Sequence, residues 1–309
     1  MNLLNIKYFL ETSRTMNFTR AAKKLNISQQ ALSAHIAALE RETESELFER
    51  TSPLSLTEAG RLFQSYAEKF SNDYDSLMHE LKDLKNDRRG TIFISITHTR
   101  GKLLLPKILP RFQQEFPQTE IRIYEANNEE LQRAMLDGKL ELMICRIPIN
   151  SPSVATEFFY TEKAALLVSK ELLGKYFGDD GDEIIKKVGE SSDLSPLRMM
   201  PFMLPHSGDI LRNVAEELTA RAGFAPKVTV ESVNTETLLE MAVRGMGITF
   251  YPMTYLEHTE YANLPKELCI VPLNAPCAQY SIGFCWLRSR YLSLAAREFI
   301  KIAKENIRR

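Results

Sequence analysis

The stretch from Phe18 to Gly60 constrains the chain most, and within it the run Asn26-Ile27-Ser28-Gln29-Gln30-Ala31-Leu32-Ser33-Ala34-His35-Ile36. Two short apolar-periodic segments meet there around a tight polar turn. Ala21, Ala22 and Leu25 give the first segment a packing face, and Leu32, Ile36 and Leu39 give the second one at i, i+4 and i+7. Ser28 stands where an N-cap belongs, its hydroxyl able to accept an unpaired backbone N–H of the next turn. Gln29, Gln30, Ser33, Ala34 and Ala37 lie opposite the apolar face, with no long charged side chain among them. Gln can bond adenine through two edge atoms and Ser can bond several base edges, so this face suits a major groove. The pattern is that of a helix-turn-helix.

At 309 residues the chain suggests two or three domains. A hydrophobic fraction of 44% leaves ample material for cores. The net charge of −1 gives no overall electrostatic pull toward nucleic acid, but its distribution is uneven. Met1 to Ser28 holds five basic residues against one acidic, whereas Gln29 to Gly60 holds two against six. The first part can face phosphates; the second reads as a solvated or partner-facing flank. The N-terminus opens into an amphipathic helix (Leu3, Ile6, Phe9, Leu10), and no stretch approaches the roughly 20 apolar residues of a membrane span. A cytoplasmic location is therefore expected, with no membrane partner. Cys145, Cys269, Cys277 and Cys285 are spaced for neither zinc nor a Cys-x-x-Cys pair, so buried thiols inside strands are expected, with a redox switch the alternative.

After Leu47-Phe48-Glu49-Arg50, Pro53 and a Ser/Thr cluster mark a turn between two extended pieces, a small β-wing. Thr57 then caps a long helix. Phe63, Phe70, Leu77 and Leu84 recur at seven, Tyr66, Tyr74 and Leu81 fill the intermediate stripe, and the register slips once at Asp73. No Pro or Gly interrupts Arg61 to Arg89. So narrow a strip on so long a helix predicts pairing with another helix in a dimer, against the alternative of a lone surface helix packed on its own domain. From Gly90 strands alternate with helices. Strands are expected at Thr91–Thr97, Glu120–Glu125 and Leu140–Cys145, with helices at Lys102–Phe116 and Glu129–Leu136 between them, which implies a parallel sheet. A second set follows. Its strands are Glu157–Tyr160, Ala164–Val168, Phe202–Leu204, Lys227–Val233 and Gly247–Tyr251, and its helices Asp209–Ala222 and Thr235–Arg244. Strands Cys269–Leu273 and Tyr280–Leu287 and helix Ser293–Ile307 close the chain. The polar segment from Ser169 to Met200 fits neither sheet and is read as a lid or an extra surface.

Together these residues resemble the LysR-type transcriptional regulator family. Its N-terminal signature stands in order: Phe18-Thr19-x-Ala21-Ala22-x-x-Leu25, Ser28-Gln29-x-Ala31-Leu32-Ser33-x-x-Ile36-x-x-Leu39-Glu40, Leu47-Phe48-x-Arg50 and Leu56-Thr57-x-Ala59-Gly60. The resemblance implies an α/β protein overall: a winged helix-turn-helix at 1–60, a dimerising linker helix at 61–89, and a two-lobed α/β effector domain at 90–309 resembling periplasmic solute-binding proteins. Lobe I would take about 90–160 and 269–309, and lobe II about 161–268. It further implies double-stranded DNA as partner, a small-molecule effector between the lobes, a homodimer or homotetramer, and contact with RNA polymerase; no cofactor or metal is implied. Thr19, Arg20, Lys23, Ser28, Gln29, Gln30, Ser33, His35, Arg50 and Thr57 would form the DNA face, with His35 either on a phosphate or base edge or at the rim. The seam would be Phe63, Tyr66, Phe70, Tyr74, Leu77, Leu81 and Leu84.

Three departures matter. Gln30 stands where the family often has Pro. Thr43-Glu44 replaces the usual Leu-Gly at the end of the recognition helix, so the helix either runs on or closes differently. The wing Thr51–Ser55 lacks Arg and Lys, which shifts phosphate binding toward Arg50, Arg20 and Lys23.

In the effector half, Thr97-His98-Thr99-Arg100 follows the first strand and opens a helix, a geometry whose free N–H groups bind anions; ordinary capping by Thr99 is the alternative. His206-Ser207-Gly208 offers the same geometry from the second lobe. Two facing helix N-termini suit an anionic metabolite such as a carboxylate. By family position Asn127, Asn128, Arg146 and Phe250 also approach the cleft, with a surface salt bridge the alternative for Arg146 and core packing the better-supported one for Phe250. An α/β enzyme or small-molecule-binding protein carrying a DNA-binding attachment is the competing reading. The sequence shows no Gly-x-Ser-x-Gly elbow, P-loop, Rossmann glycine fingerprint or paired metal-ligand motif in its favour.

Overall fold

The computed structural model describes residues 2–51, 53–84, 90–256 and 265–307. The chain divides into two compact units, Met1–Asp87 with Ser289–Ser293, and Arg88–Arg288 with Leu294–Arg309.

The first unit holds α1 (Leu3–Thr15), α2 (Phe18–Lys24), α3 (Gln29–Glu42), the two-residue strands β1 (Phe48–Glu49) and β2 (Ser55–Leu56), and α4 (Glu58–Leu84). Asn2, Asn17 and Ser28 cap the first three helices, accepting the N–H of Asn5, Arg20 and Ala31. Ile6, Phe9, Ala21, Leu32, Ile36, Leu39 and Phe48 are buried between them. β1 and β2 pair antiparallel as the wing. Thr57 starts α4 by accepting the Gly60 N–H at 2.8 Å. Gly60 is required there, because a Cβ would lie 2.0 Å from the Leu47 carbonyl oxygen.

The recognition helix closes as a glycine-ended helix would, without the glycine. Glu44 takes φ 49, Ser45 N–H donates to the Glu40 carbonyl at 3.1 Å, and Glu44 N–H donates to Arg41 at 3.3 Å. This is the Schellman closure.

The second unit begins with β3 (Gly90–Ile96), α5 (His98–Glu115), β4 (Thr119–Glu125), α6 (Asn128–Leu136) and β5 (Leu142–Ile147). β3 lies between β4 and β5, parallel to both. α5 starts four residues before the expected Lys102. Gly101 is tolerated in its first turns because the Glu125 carboxylate occupies the space a Cβ would need, 2.7 Å away. Next comes β6 (Val154–Ser169), one strand where the sequence pattern gives two. Its first half pairs with β11 (Gln279–Leu287) through Lys163, and its second half with β9 (Thr249–Pro252) and β10 (Leu268–Pro272). The polar pair Glu162-Lys163 interrupts the apolar pattern without interrupting the ladder, so β6 runs from one lobe into the other. β11 is antiparallel to both β5 and β6, which makes lobe I mixed rather than purely parallel.

Lobe II adds α7 (Lys170–Phe177), α8 (Gly181–Ser191), β7 (Pro201–Pro205), α9 (Ile210–Arg221), β8 (Lys227–Ser232), α10 (Thr235–Val243) and α11 (Met253–Leu256); α12 (Leu294–Ile307) ends the chain. β7 and β8 are parallel, and Phe202 bridges to Ile248 beside β9. Two expectations fail here. The segment Ser169–Met200 is not a lid. Leu172, Leu173, Ile185, Val188, Leu194 and Leu197 are all buried in one cluster with Val168, Phe202 and Val271. Its polar Gly178–Asp182 run is a 3₁₀ turn, Gly178–Asp180, and the first two residues of α8. β10 also belongs to lobe II, since Leu268–Pro272 pairs with Ser169–Ala165 and Val271, Leu273 and Ala275 enter that lobe's core. The chain therefore returns to lobe I at Gln279, not Cys269.

Candidate functional site

On the first unit, α2 and α3 present one outward face. Gln29 and Gln30 are exposed and Ser33 is half-buried, while Thr19, Arg20 and Lys23 are exposed beside them. Thr19 Oγ1 donates to Gln29 Oε1 at 3.0 Å, which holds that oxygen and leaves the amide N–H₂ outward. Four of the expected residues are committed elsewhere. Ser28 Oγ accepts the Ala31 N–H. Thr57 Oγ1 donates to the Glu46 carbonyl and accepts from Gly60. His35 turns inward, its Nδ1 2.9 Å from Asn5 Oδ1 and its ring edge-on to Tyr8. Arg50 pairs with Glu40 at 2.8 Å, and the same carboxylate accepts the Leu47 N–H at 2.9 Å. Glu40 thus ties α3 to the wing and takes up the charge expected to reach phosphate.

On α4, Tyr66, Phe70, Tyr74, Leu77 and Leu81 are exposed, and Leu62, which the heptad count missed, is 62% exposed. Phe63 leaves the stripe: it packs on the unit's core with its ring edge against Phe9. The Leu84 side chain lies outside the described residues.

The second unit encloses a cleft of about 600 Å³ between its lobes, a size suited to a small molecule. Thr97, His98, Thr99, Arg100, Asn127 and Asn128 all line it. Thr97, Asn127, Asp209 and Asn234 are the N-cap residues of α5, α6, α9 and α10, so four helix N-termini converge on this space. The side chains of Asn127, Asp209 and Asn234 accept N–H groups of their own helices. Thr97 makes no such bond; its hydroxyl accepts from Arg100 Nη1 at 3.1 Å. Thr99 does not cap either, because its hydroxyl meets Thr235 Oγ1 of lobe II at 2.7 Å. The first N–H groups of α5 therefore keep no side-chain acceptor.

Arg100 is the electrostatic centre. It is buried to 6% exposure, Nε has no partner, and no carboxylate pairs with it among the described residues. Burial is the largest influence and opposes its charge, but the phenol oxygens of Tyr160, Tyr255 and Tyr280 outweigh it and raise its pKa. Burial pushes the Tyr160 hydroxyl up to about 12 and raises Tyr255 and Tyr280 as well. It also raises the Glu162 carboxyl, which accepts from Thr254 N–H and Oγ1. Glu162 and Asp209 feel its charge without pairing with it, so an anion arriving at the uncapped end of α5 would supply the acceptor that Nε lacks.

The other expected cleft residues fall elsewhere. His206 and Ser207 line an adjoining recess of about 50 Å³ that shares Asn127, Asn128 and Asp209 with the cleft, and His206 Nδ1 lies 2.6 Å from Glu231. Arg146 is exposed and sits over the Tyr280 ring at 5.9 Å, outside the cleft lining. Phe250 is fully buried in the lobe II core, where apolar residues on a central strand belong. Asn234 and Thr235 supply the lobe II wall instead. Their signal was legible, since Asn234 precedes a helix exactly as Asn127 does. Tyr255 and Tyr280 carried no local signal. Cys145 and Cys285 are buried with sulfurs 3.4 Å apart, Cys269 is half-buried on β10, and Cys277 sits in a 3₁₀ turn rather than a strand.

A winged helix-turn-helix followed by a two-lobed domain with a polar cleft defines a ligand-responsive transcriptional regulator. Residues 85–308 match the LysR substrate binding domain and residues 3–61 the bacterial regulatory helix-turn-helix of the lysR family. The chain belongs to the LysR family of DNA-binding transcriptional regulators. It is 26% identical to the HTH-type transcriptional regulator YcgK of Bacillus subtilis over 316 residues, covering 100% of this chain and 95% of the relative. Its fold resembles full-length OxyR of Pseudomonas aeruginosa (TM-score 0.69, 22% identity, 100% and 95% covered). It also resembles CbnR in a complex with target DNA (TM-score 0.64, 17% identity, 99% and 100% covered). No described helix is long and apolar enough to cross a membrane.

Proposed function

We propose that this regulator works in the cytoplasm as a homodimer, or a tetramer built from dimers, whose grip on DNA responds to an anionic metabolite in the cleft. The assigned organisation is 1–60 for DNA reading, 61–89 for pairing and 90–309 for the effector. Gln29, Gln30 and Ser33 read base edges, and Arg20 and Lys23 carry the phosphate contacts that Arg50 gives up to Glu40. The exposed stripe of α4 supports pairing with a second copy. RNA polymerase is the partner through which a DNA-bound regulator of this family would act, and no catalytic role is assigned to the cleft.

One observation carries the effector reading: Arg100 is buried beside the uncapped N-terminus of α5 without a carboxylate partner. The test is thermal shift of the full chain against metabolite carboxylates, with Arg100→Met alongside. At least one acid should stabilise the native chain, by about 2.7 kcal/mol at a concentration a hundredfold above its Kd. Arg100→Met should abolish that gain and keep salt-dependent DNA binding. A gain that survives in Arg100→Met refutes the assignment.

A further inference from the structure

The charges around Arg100 say more about the ligand than that it is an anion. Arg100 is the one guanidinium on the lining, yet three carboxylates, Glu125, Glu130 and Asp209, share it. Glu125 is engaged by His98 Nδ1 at 3.3 Å. Glu130 and Asp209 form no ion pair among the described residues, although Arg100 lies near enough to act on the Asp209 charge. Asp209 accepts only backbone N–H of α9, and burial raises its pKa, tempered by Arg100.

A second buried group points the same way. Asn128 is 8% exposed and lines the cleft, and its Oδ1 accepts from nothing. An orphaned buried acceptor calls for a donor from whatever fills the space. The cavity therefore lacks an acceptor at Arg100 Nε and a donor at Asn128 Oδ1. A simple di-anion would satisfy the first and set its second charge against carboxylates. A simple amine would leave Arg100 Nε buried without an acceptor.

We propose that the cleft takes an amphoteric ligand, a carboxylic acid that also bears a protonated amine, as an α-amino acid does. Its carboxylate lies on Arg100 and the first N–H groups of α5, and its amine on Asn128 Oδ1 with Asp209 and Glu130 as counter-charges. This rests on the anion reading above and narrows it.

The test titrates the full-length protein with three matched panels: the common L-α-amino acids, their 2-oxo acids and their decarboxylated amines. Thermal shift and isothermal titration give the readout. At least one amino acid should bind, with its 2-oxo acid and its amine each about tenfold weaker or worse. Asn128→Leu and Glu130→Gln should each weaken the amino acid about tenfold and leave the oxo acid unmoved, with DNA affinity and the unliganded Tm showing that both variants fold. If the 2-oxo acids bind as tightly as the amino acids, the amphoteric assignment falls and the anion site stands. If amines match amino acids, both readings fall; if no panel binds, the amphoteric assignment falls and the anion reading is decided by the wider carboxylate screen.

Discussion

Glu44 carries a side chain into the left-handed region at φ 49, where glycine is the ordinary occupant. The two closing hydrogen bonds from Ser45 and Glu44 compensate enough to keep the recognition helix ending where a glycine would end it. Glu44→Gly should therefore stabilise the first unit by about 0.5–1 kcal/mol, measured by urea unfolding, with no change in the length of α3. A second residue tests the buried cluster of the other unit. Burial raises the Glu162 carboxyl, so the folded state holds its proton more tightly than the unfolded chain does. Stability from this group is then complete in acid and lost as pH rises from the ordinary carboxylate range through the raised value. Glu162→Gln should raise Tm at pH 7–8 and lose that advantage near pH 4. Its Oε2 has no partner, so an amide there gives up no hydrogen bond. A Tm difference independent of pH would refute the titration.

Among the elements, α4 shows what a seven-residue repeat can and cannot say. The repeat predicted a helix and an apolar stripe, and Tyr66, Phe70, Leu77 and Leu81 stand exposed along it. It could not say that Phe63, in the same heptad position as Phe70, packs on Phe9. That distinction depends on α1 lying beside the start of α4. Tyr66→Glu with Phe70→Glu should convert the proposed dimer to monomer at micromolar concentration while the first unit keeps its Tm. Sedimentation velocity reads the outcome, and a persistent dimer would move the seam elsewhere. α7 and α8 teach the converse. The polar run from Gly178 to Asp182, where α7 turns into α8, dominated the sequence pattern and hid the apolar faces of two short helices. Those faces make sense only once β10 stands beside them.

At the scale of the whole molecule, side-chain pairs join the two lobes across the cleft. Thr99 of lobe I meets Thr235 of lobe II at 2.7 Å, and Lys102 pairs with Glu236 at 2.9 Å. The sequence put Ser207 opposite Thr99, but Ser207 lies in the neighbouring recess. Thr99→Val with Thr235→Val replaces the paired hydroxyls by near-isosteric methyls. It should weaken effector binding about tenfold, since a single net hydrogen bond contributes roughly 1 kcal/mol and two cleft hydroxyls are lost. DNA affinity without effector should stay the same. Titration calorimetry on this variant checks the first expectation and fluorescence anisotropy on DNA the second.

The sequence by itself determined the helix-turn-helix, its cap at Ser28, the wing, the long helix and the alternation of strands with helices. Those features are set by local periodicity and by hydrogen bonds a few residues apart, so they are written where they act. It also located the α5 start, Thr97 to Arg100, as a polar site. Tertiary structure alone decided that Arg50 is held by Glu40 and that His35 faces Asn5. It alone placed Tyr255, Tyr280 and Thr235 around the cleft. Each of these depends on partners brought together from distant parts of the chain, and a side chain's role there follows from which charge or acceptor the fold sets opposite it. Asn26 to Ile36 could be read from its own spacing, but Arg100 became informative only once the fold had buried it without an ion-pair partner among the described residues.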